Sequence, residues 1–178
     1  IYTYFFLLSS HVFGNVTNYG ANIIIGESVN VTFSQNFHNA SGNVYNSGAI
    51  SIAGNLENDG SLHSNEGSSV RLNGTDQSFS GEEYEKLILE NGGTKTLLGH
   101  ANVKDNLTLN SSILDLNGYT LITNNFNNAD GSIYENGGQM VINETNHSLS
   151  FDGSNDYVKI NFTTTTNTTT TTTEDIVI

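Results

Sequence analysis

A loosely repeated phrase of asparagine, glycine and single apolar residues constrains this chain most. It reads Asn36-Phe37-His38-Asn39-Ala40-Ser41-Gly42, then Asn55-Leu56-Glu57-Asn58-Asp59-Gly60, then Asn125-Phe126-Asn127-Asn128-Ala129-Asp130-Gly131. After each copy comes one apolar residue (Val44, Leu62, Ile133), then a turn of Asn and Gly. A short alternating run closes the unit: Ile50/Ile52, Val70/Leu72, Met140/Ile142. A unit with so few apolar side chains has no core of its own and must stack on its neighbours. The expected fold is a β-solenoid.

The turns fit that expectation. The chain has 18 glycines and no proline, so its turns rest on Asn-Gly and Asp-Gly chemistry, which tolerates positive φ. Cysteine is absent, which excludes disulfide staples, thiolate metal sites and cysteine nucleophiles. Net charge is −13, with five Lys plus Arg. Such a surface repels phosphate backbones and anionic bilayers, so neither nucleic acid nor a membrane is an expected partner.

Along the chain, apolar residues alternate with polar ones over short runs. Val29-Asn30-Val31-Thr32-Phe33, Ile50-Ser51-Ile52 and Val70-Arg71-Leu72 each read as a half-buried strand. Ser78 to Leu89 contains a Glu/Lys cluster with some helical propensity. The strand reading is preferred, because Leu87-Ile88-Leu89 runs directly into the Asn91-Gly92-Gly93 turn. Five further strands are expected, at Thr96 to Gly99, Ala101 to Val103, Leu107 to Leu109, Ile113 to Leu116 and Tyr119 to Ile122. Asn117 and Asn124 to Asn128 are expected at corners, stacked in side-chain ladders that satisfy backbone groups.

Both ends differ from the middle. Residues 1–14 open on an unbroken apolar and aromatic run from Ile1 to Leu8 and end on Gly14. They read as a signal-peptide remnant, or else as a first buried strand of the solenoid or a donor strand for a neighbouring subunit. Residues 163–178 are a threonine-rich, low-complexity tail, expected to be disordered or loosely extended.

The middle of the chain resembles repeats of large secreted bacterial surface proteins. The resemblance lies in Asn73-Gly74-Thr75-Asp76-Gln77-Ser78-Phe79-Ser80-Gly81, Tyr84 to Asn91, Val103-Lys104-Asp105-Asn106-Leu107-Thr108-Leu109 and Leu114-Asp115-Leu116-Asn117-Gly118-Tyr119-Thr120-Leu121. It implies an all-β, irregular, right-handed, parallel β-helix-like solenoid over residues 15–145, with almost no helix. It also implies export as an adhesin or cell-surface scaffold. A second stretch, Ser148 to Ile160, is similar to the opening strands of a laminin-G-like, concanavalin-type domain. Residues 146–162 are accordingly expected to form a β-hairpin. The remainder of such a domain is missing, so no lectin site carries over.

No catalytic, cofactor-binding or metal-ligating residue is expected. Asp76, Asp105, Asp115 and Asp130 are scattered, and Asp115 alternates outward between Leu114 and Leu116. His11, His38, His63, His100 and His147 lack zinc spacing and read as surface residues. Asp152 to Asp156 and Asn127 to Asp130 offer oxygen ligands for calcium but match neither an EF-hand loop nor a β-roll repeat, and read as turns. Asn-x-Ser/Thr sequons occur at Asn15, Asn30, Asn39, Asn73, Asn106, Asn110, Asn143, Asn146, Asn161 and Asn167.

The chain is therefore expected to be a secreted, non-enzymatic structural or adhesive surface protein without cofactors. Its expected partners are cell-surface or matrix components, glycans among them, and further copies of itself. Three other readings stand beside it: a carbohydrate-binding module, a filament subunit completed by a terminal strand, and a β-helix polysaccharide-degrading enzyme with carboxylates converging on one face.

Overall fold

The structure is a computed structural model and describes residues 4–7 and 10–143. The expected hairpin at 146–162, the threonine-rich tail and the calcium reading at Asp152 to Asp156 lie outside the described residues.

Alternating sequence becomes strand throughout. The first nine strands are β1 (Tyr4–Leu7), β2 (Ser10–Val12), β3 (Val16–Ile25), β4 (Asn30–Phe33), β5 (Phe37–Asn46), β6 (Ala49–Ile52), β7 (Leu56–Asn58), β8 (Ser61–Ser64) and β9 (Ser69–Leu72). Then follow β10 (Gln77–Phe79), β11 (Glu83–Leu89), β12 (Thr94–Leu97), β13 (Ala101–Asn110), β14 (Ile113–Asp115), β15 (Thr120–Ala129), β16 (Ser132–Tyr134) and β17 (Gln139–Ile142). All recorded pairings are parallel and join strands one turn apart, such as Leu87↔Leu107 and Leu107↔Phe126. The chain is thus an all-β solenoid of about seven turns, with no helix among the described residues. The Ser78 to Leu89 region resolves as β10 and β11, in agreement with the strand reading.

Two sheets build the walls. One runs β1-β3-β5-β7-β10-β12-β14-β16, with β8 added beside β5. The other runs β17-β15-β13-β11-β9-β6-β4-β2. The ten-residue strands β3, β5, β13 and β15 bend at register shifts, between Asn18 and Asn22 in the first pair and between Val103 and Asn106 in the second. A bulge lets one strand turn a corner. The separate strands expected at Ala101 to Val103 and Leu107 to Leu109 are accordingly two arms of β13.

Inward side chains form one continuous core from Ile23 to Leu121, with Ile52, Leu72, Leu89 and Leu109 shut off from solvent. Period-two alternation produces this directly, since every second residue of a strand faces the same side. No single turn encloses a core, and stability comes from each turn covering the next.

The bulge at the first corner needs glycine. Gly42 has φ of 95°, and a Cβ there would stand 2.5 Å from the Ala21 carbonyl oxygen one turn away. Both the left-handed backbone and the contact oppose any side chain. Gly42→Ala is expected to cost about 2 kcal/mol, read as a shift of the urea midpoint with an unchanged slope.

The repeated phrase is not one structural unit. Phe37 and Asn39 stack in register on Leu56 and Asn58, so the first two copies share a wall. Asn125 to Asn128 lies in β15, in the other sheet. The change of phase occurs between the turn of β7–β9 and the turn of β10 and β11. There β8 has no partner beyond β5, and β7 meets β10 through the single pair Leu56↔Phe79. Before this seam the second arm of each turn belongs to the first sheet, as in β3 and β5. After it the equivalent arm belongs to the second sheet, as in β13 and β15. The copy that does continue the first wall is Asn15-Val16-Thr17-Asn18, whose Val16 pairs with Phe37.

Candidate functional site

Polar side chains at the corners are engaged with neighbouring turns. Asn18 closes its own corner, donating from Nδ2 to the Ala21 carbonyl and accepting the Ala21 N–H, each at 2.9 Å. Asn128 does the same with Gly131, at 3.1 and 2.9 Å. The first of these corners extends into a ladder. Asn18 Nδ2 donates to Asn39 Oδ1 at 2.8 Å, Asn39 Nδ2 to Asn58 Oδ1 at 2.6 Å, and Asn58 Nδ2 to Glu82 Oε1 at 2.6 Å. The ladder ends at the seam on a carboxylate, which accepts but does not donate. Burial raises the Glu82 pKa above its ordinary value, and the Asn58 hydrogen bond partly offsets this.

A second column stands three residues earlier in the chain. The Oδ1 atoms of Asn15, Asn36 and Asn55 accept the backbone N–H of Asn36, Asn55 and Ser78, at 3.3, 2.8 and 2.9 Å. Asp76 takes the same role toward Thr94 N at 2.8 Å. Among the asparagines expected at corners, Asn117 and Asn125 donate to the Leu97 and Asp105 carbonyls, at 3.2 and 2.9 Å. Asn124 donates to the Lys104 carbonyl. Corner satisfaction holds for these residues, while the amide-to-amide ladder runs through Asn18, Asn39 and Asn58 instead.

The described cations are engaged as well. Arg71 Nη1 reaches both Glu90 oxygens at 2.7 Å, Lys104 meets Glu83 at 2.9 Å, and Lys86 meets Asp105 at 3.6 Å. Lys104 holds the Glu83 carboxyl below its ordinary range. These pairs face solvent, so each stabilises only weakly and in a salt-dependent way. Arg71→Ala is expected to cost under about 1 kcal/mol in urea denaturation at low salt and less at 1 M salt.

Lys95 is the exception. Its side chain is wholly buried, and its Nζ donates to the carbonyls of Gly74, Thr75 (2.7 Å) and Gly92 (2.9 Å). Burial lowers its pKa to about 8, against the opposing pull of Asp76 and Glu90. Gln77 lies in register one turn before it and is also buried. Its Oε1 accepts Gly74 N at 2.7 Å and its Nε2 donates to the Ile52 carbonyl at 2.9 Å. Neither residue stood out in the sequence. Period-two alternation with Leu97 and Phe79 was the signal that places both side chains inside.

Among the described residues the outer surface includes two open grooves. One, about 580 Å³, is lined by Asn73, Glu90, Asn91, Gly92, Asn110 and Ser111. The other, about 480 Å³, is lined chiefly by Glu82, Glu83, His100, Asn102, Thr120 and Ile122. In the second, Glu82 is tied to Asn58, Glu83 to Lys104, and His100 Nδ1 to Thr120 N at 3.0 Å.

The remaining candidates sit as follows. His11, His63 and His100 are exposed, and His38 is half-buried with Nε2 2.8 Å from Asp59. The Tyr45 and His63 rings stack at 4.8 Å. Asp115 caps Asn117 N at 2.9 Å. Among the described residues no group of three or more His, Asp or Glu is placed to hold a metal. The sequon residue Asn39 is fully buried in the ladder, whereas Asn15, Asn30 and Asn143 are exposed. No protein-family model, curated protein or solved structure matches the chain. The fold places the chain in the class of parallel β-solenoids.

Proposed function

We propose that this chain is a non-catalytic structural or adhesive module of the extracellular space or cell surface, exported behind a signal peptide. The observation that carries the reading is the use of its chemistry-bearing side chains. Arg71, Lys86 and Lys104 pair with carboxylates on other turns, Lys95 binds backbone carbonyls, and Glu82 closes an amide ladder. The described strands stack into two parallel sheets in a chain of net charge −13, which suits recognition spread over an extended surface. Cell-surface or matrix components are the partners in this reading, and self-association is a second use of the same walls.

A glycan-binding reading draws support from the groove of Asn73, Asn91 and Asn110 beside Glu90. Amides and a carboxylate are the groups that hydrogen-bond sugar hydroxyls. Plates coated with the full chain separate the two. Adhesion predicts cell attachment that soluble chain competes away, with no signal on a glycan array. Array binding without cell attachment favours the glycan module, and neither result removes both. Release of reducing ends from polysaccharides would restore the enzyme reading.

A further inference from the structure

The Asn-Gly turns carry chemistry beyond their geometry. Four such dipeptides lie in the described residues: Asn73-Gly74, Asn91-Gly92, Asn117-Gly118 and Asn136-Gly137. At such a step the glycine backbone nitrogen can attack the asparagine Cγ. A C–N bond forms, the side-chain amide leaves as ammonia, and a succinimide results. Water then opens the ring to aspartate or isoaspartate. The reaction needs water alone, a glycine nitrogen able to approach, and a side-chain amide that can leave its partners.

The four sites differ in just these respects. At Asn73 the attacking group is held, because Gly74 N donates to buried Gln77 Oε1 at 2.7 Å. Gly74 is itself buried, and a Cβ there would stand 1.9 Å from the Ala53 carbonyl oxygen. At Asn91 the side chain donates to the Asn73 carbonyl at 2.8 Å. The Gly92 carbonyl is pinned by Lys95 Nζ at 2.9 Å and Ser112 Oγ at 3.2 Å. At Asn117 the turn is exposed, but Nδ2 reaches the Leu97 carbonyl at 3.2 Å and the backbone N–H reaches Asp115. Asn136 is held least. Its Nδ2 meets the exposed Asp115 carboxylate at 3.3 and 3.5 Å. Gly137 is exposed, and the nearest atom to a Cβ placed there is 4.0 Å away.

We propose that Asn136 is a spontaneous deamidation site that loosens the last described turn, with Asn117 next, Asn91 slower and Asn73 protected. The consequence is electrostatic. The product replaces an amide donor beside Asp115 by a second carboxylate, so a cross-turn attraction becomes a like-charge contact between β14 and the turn after β16.

The test is incubation of the full-length chain at pH 8.5 and 37 °C, followed by peptide mapping with mass spectrometry and isoaspartate labelling. Conversion at Asn136 should lead, with conversion at Asn73 at least tenfold slower. The same incubation in 8 M urea should bring the four rates together. Equal rates in the folded chain, Asn73 leading, or the same order persisting in urea would each overturn the proposal. Asn136→Asp mimics the product. Amides of Gln139 to Ile142 should exchange several-fold faster in that variant, with β9 and β11 unchanged, and unchanged exchange in β17 would refute the loosening.

Discussion

Asn39→Asp is expected to lower the stability of the chain by about 4 kcal/mol at pH 7, although the two side chains differ by one group. Asn39 is fully buried and works in both directions. It accepts from Asn18 Nδ2 at 2.8 Å and donates to Asn58 Oδ1 at 2.6 Å, with the Ser61 and Gly42 carbonyls also in reach at 3.4 and 3.5 Å. A carboxylate keeps the first bond and loses the others. It also sets oxygen against oxygen at the Asn58 contact. Asn58 does not rescue the arrangement by turning its amide over, because its Nδ2 is already given to Glu82. The ladder therefore has a direction, with every donor pointing toward the carboxylate at its end.

The pH dependence of this variant has a definite sign. Burial raises the pKa of an introduced carboxyl, so the folded variant holds its proton to a higher pH than the unfolded chain does. Stability of the variant relative to the parent should improve as pH falls from 7 toward 5, because the protonated acid again donates one hydrogen bond. Urea denaturation at the two pH values measures it. Asn125→Asp serves as the exposed comparison, expected to cost under about 1 kcal/mol. Similar losses at positions 39 and 125 would show that the ladder contributes nothing beyond an ordinary surface bond.

Lys95→Met is expected to cost about 3 kcal/mol at pH 7. Two opposing terms decide the number. Methionine fills similar volume and removes the penalty of burying an ammonium, which favours the variant. It also leaves the Gly74 and Thr75 carbonyls without a donor, at roughly 1–3 kcal/mol each, while Gly92 keeps Ser112. The second term wins because two acceptors are orphaned inside the wall. Titration adds an independent signature. The Lys95 pKa is about 8 in the folded chain against its ordinary 10.5. Below pH 8 the group is charged in both states and the burial penalty is complete. Between pH 8 and 10.5 the unfolded chain binds more protons, so stability rises with pH. The parent should thus gain on the methionine variant by up to roughly 3 kcal/mol across that interval. A gap that stays constant with pH would place the ammonium in a solvated setting.

These two positions also show what the sequence discloses and what it hides. Alternation in Val31-Thr32-Phe33 or Leu107-Thr108-Leu109 specifies strand and inward face at once, because a two-residue period has one solution on a pleated wall. Stacking follows from the small apolar content of each unit. Register between turns does not follow. Asn39 and Asn128 occupy the same place in the repeated phrase, yet one lies in the ladder and the other caps an exposed corner in the opposite sheet. The shift depends on β8 pairing with β5 and not continuing to a next strand, and on the long step from Leu56 to Phe79, which only the stacked molecule displays. Lys95 was hidden for another reason. A lysine in a threonine-rich strand reads as solvent-facing, and two of its three acceptors, the Gly74 and Thr75 carbonyls, come from a turn remote in sequence. The surface grooves were illegible because their walls are assembled from successive turns.

The central claim is the parallel stacking of turns in this register, and nuclear Overhauser contacts in the labelled full-length chain test it most directly. The account predicts contacts between Leu87 and Leu107, between Leu107 and Phe126, and between Phe37 and Leu56, with the amide-to-α pattern of parallel strands. Close α-proton pairs between consecutive strands such as β13 and β14 belong to an antiparallel meander, and finding them in place of the one-turn contacts would contradict the account.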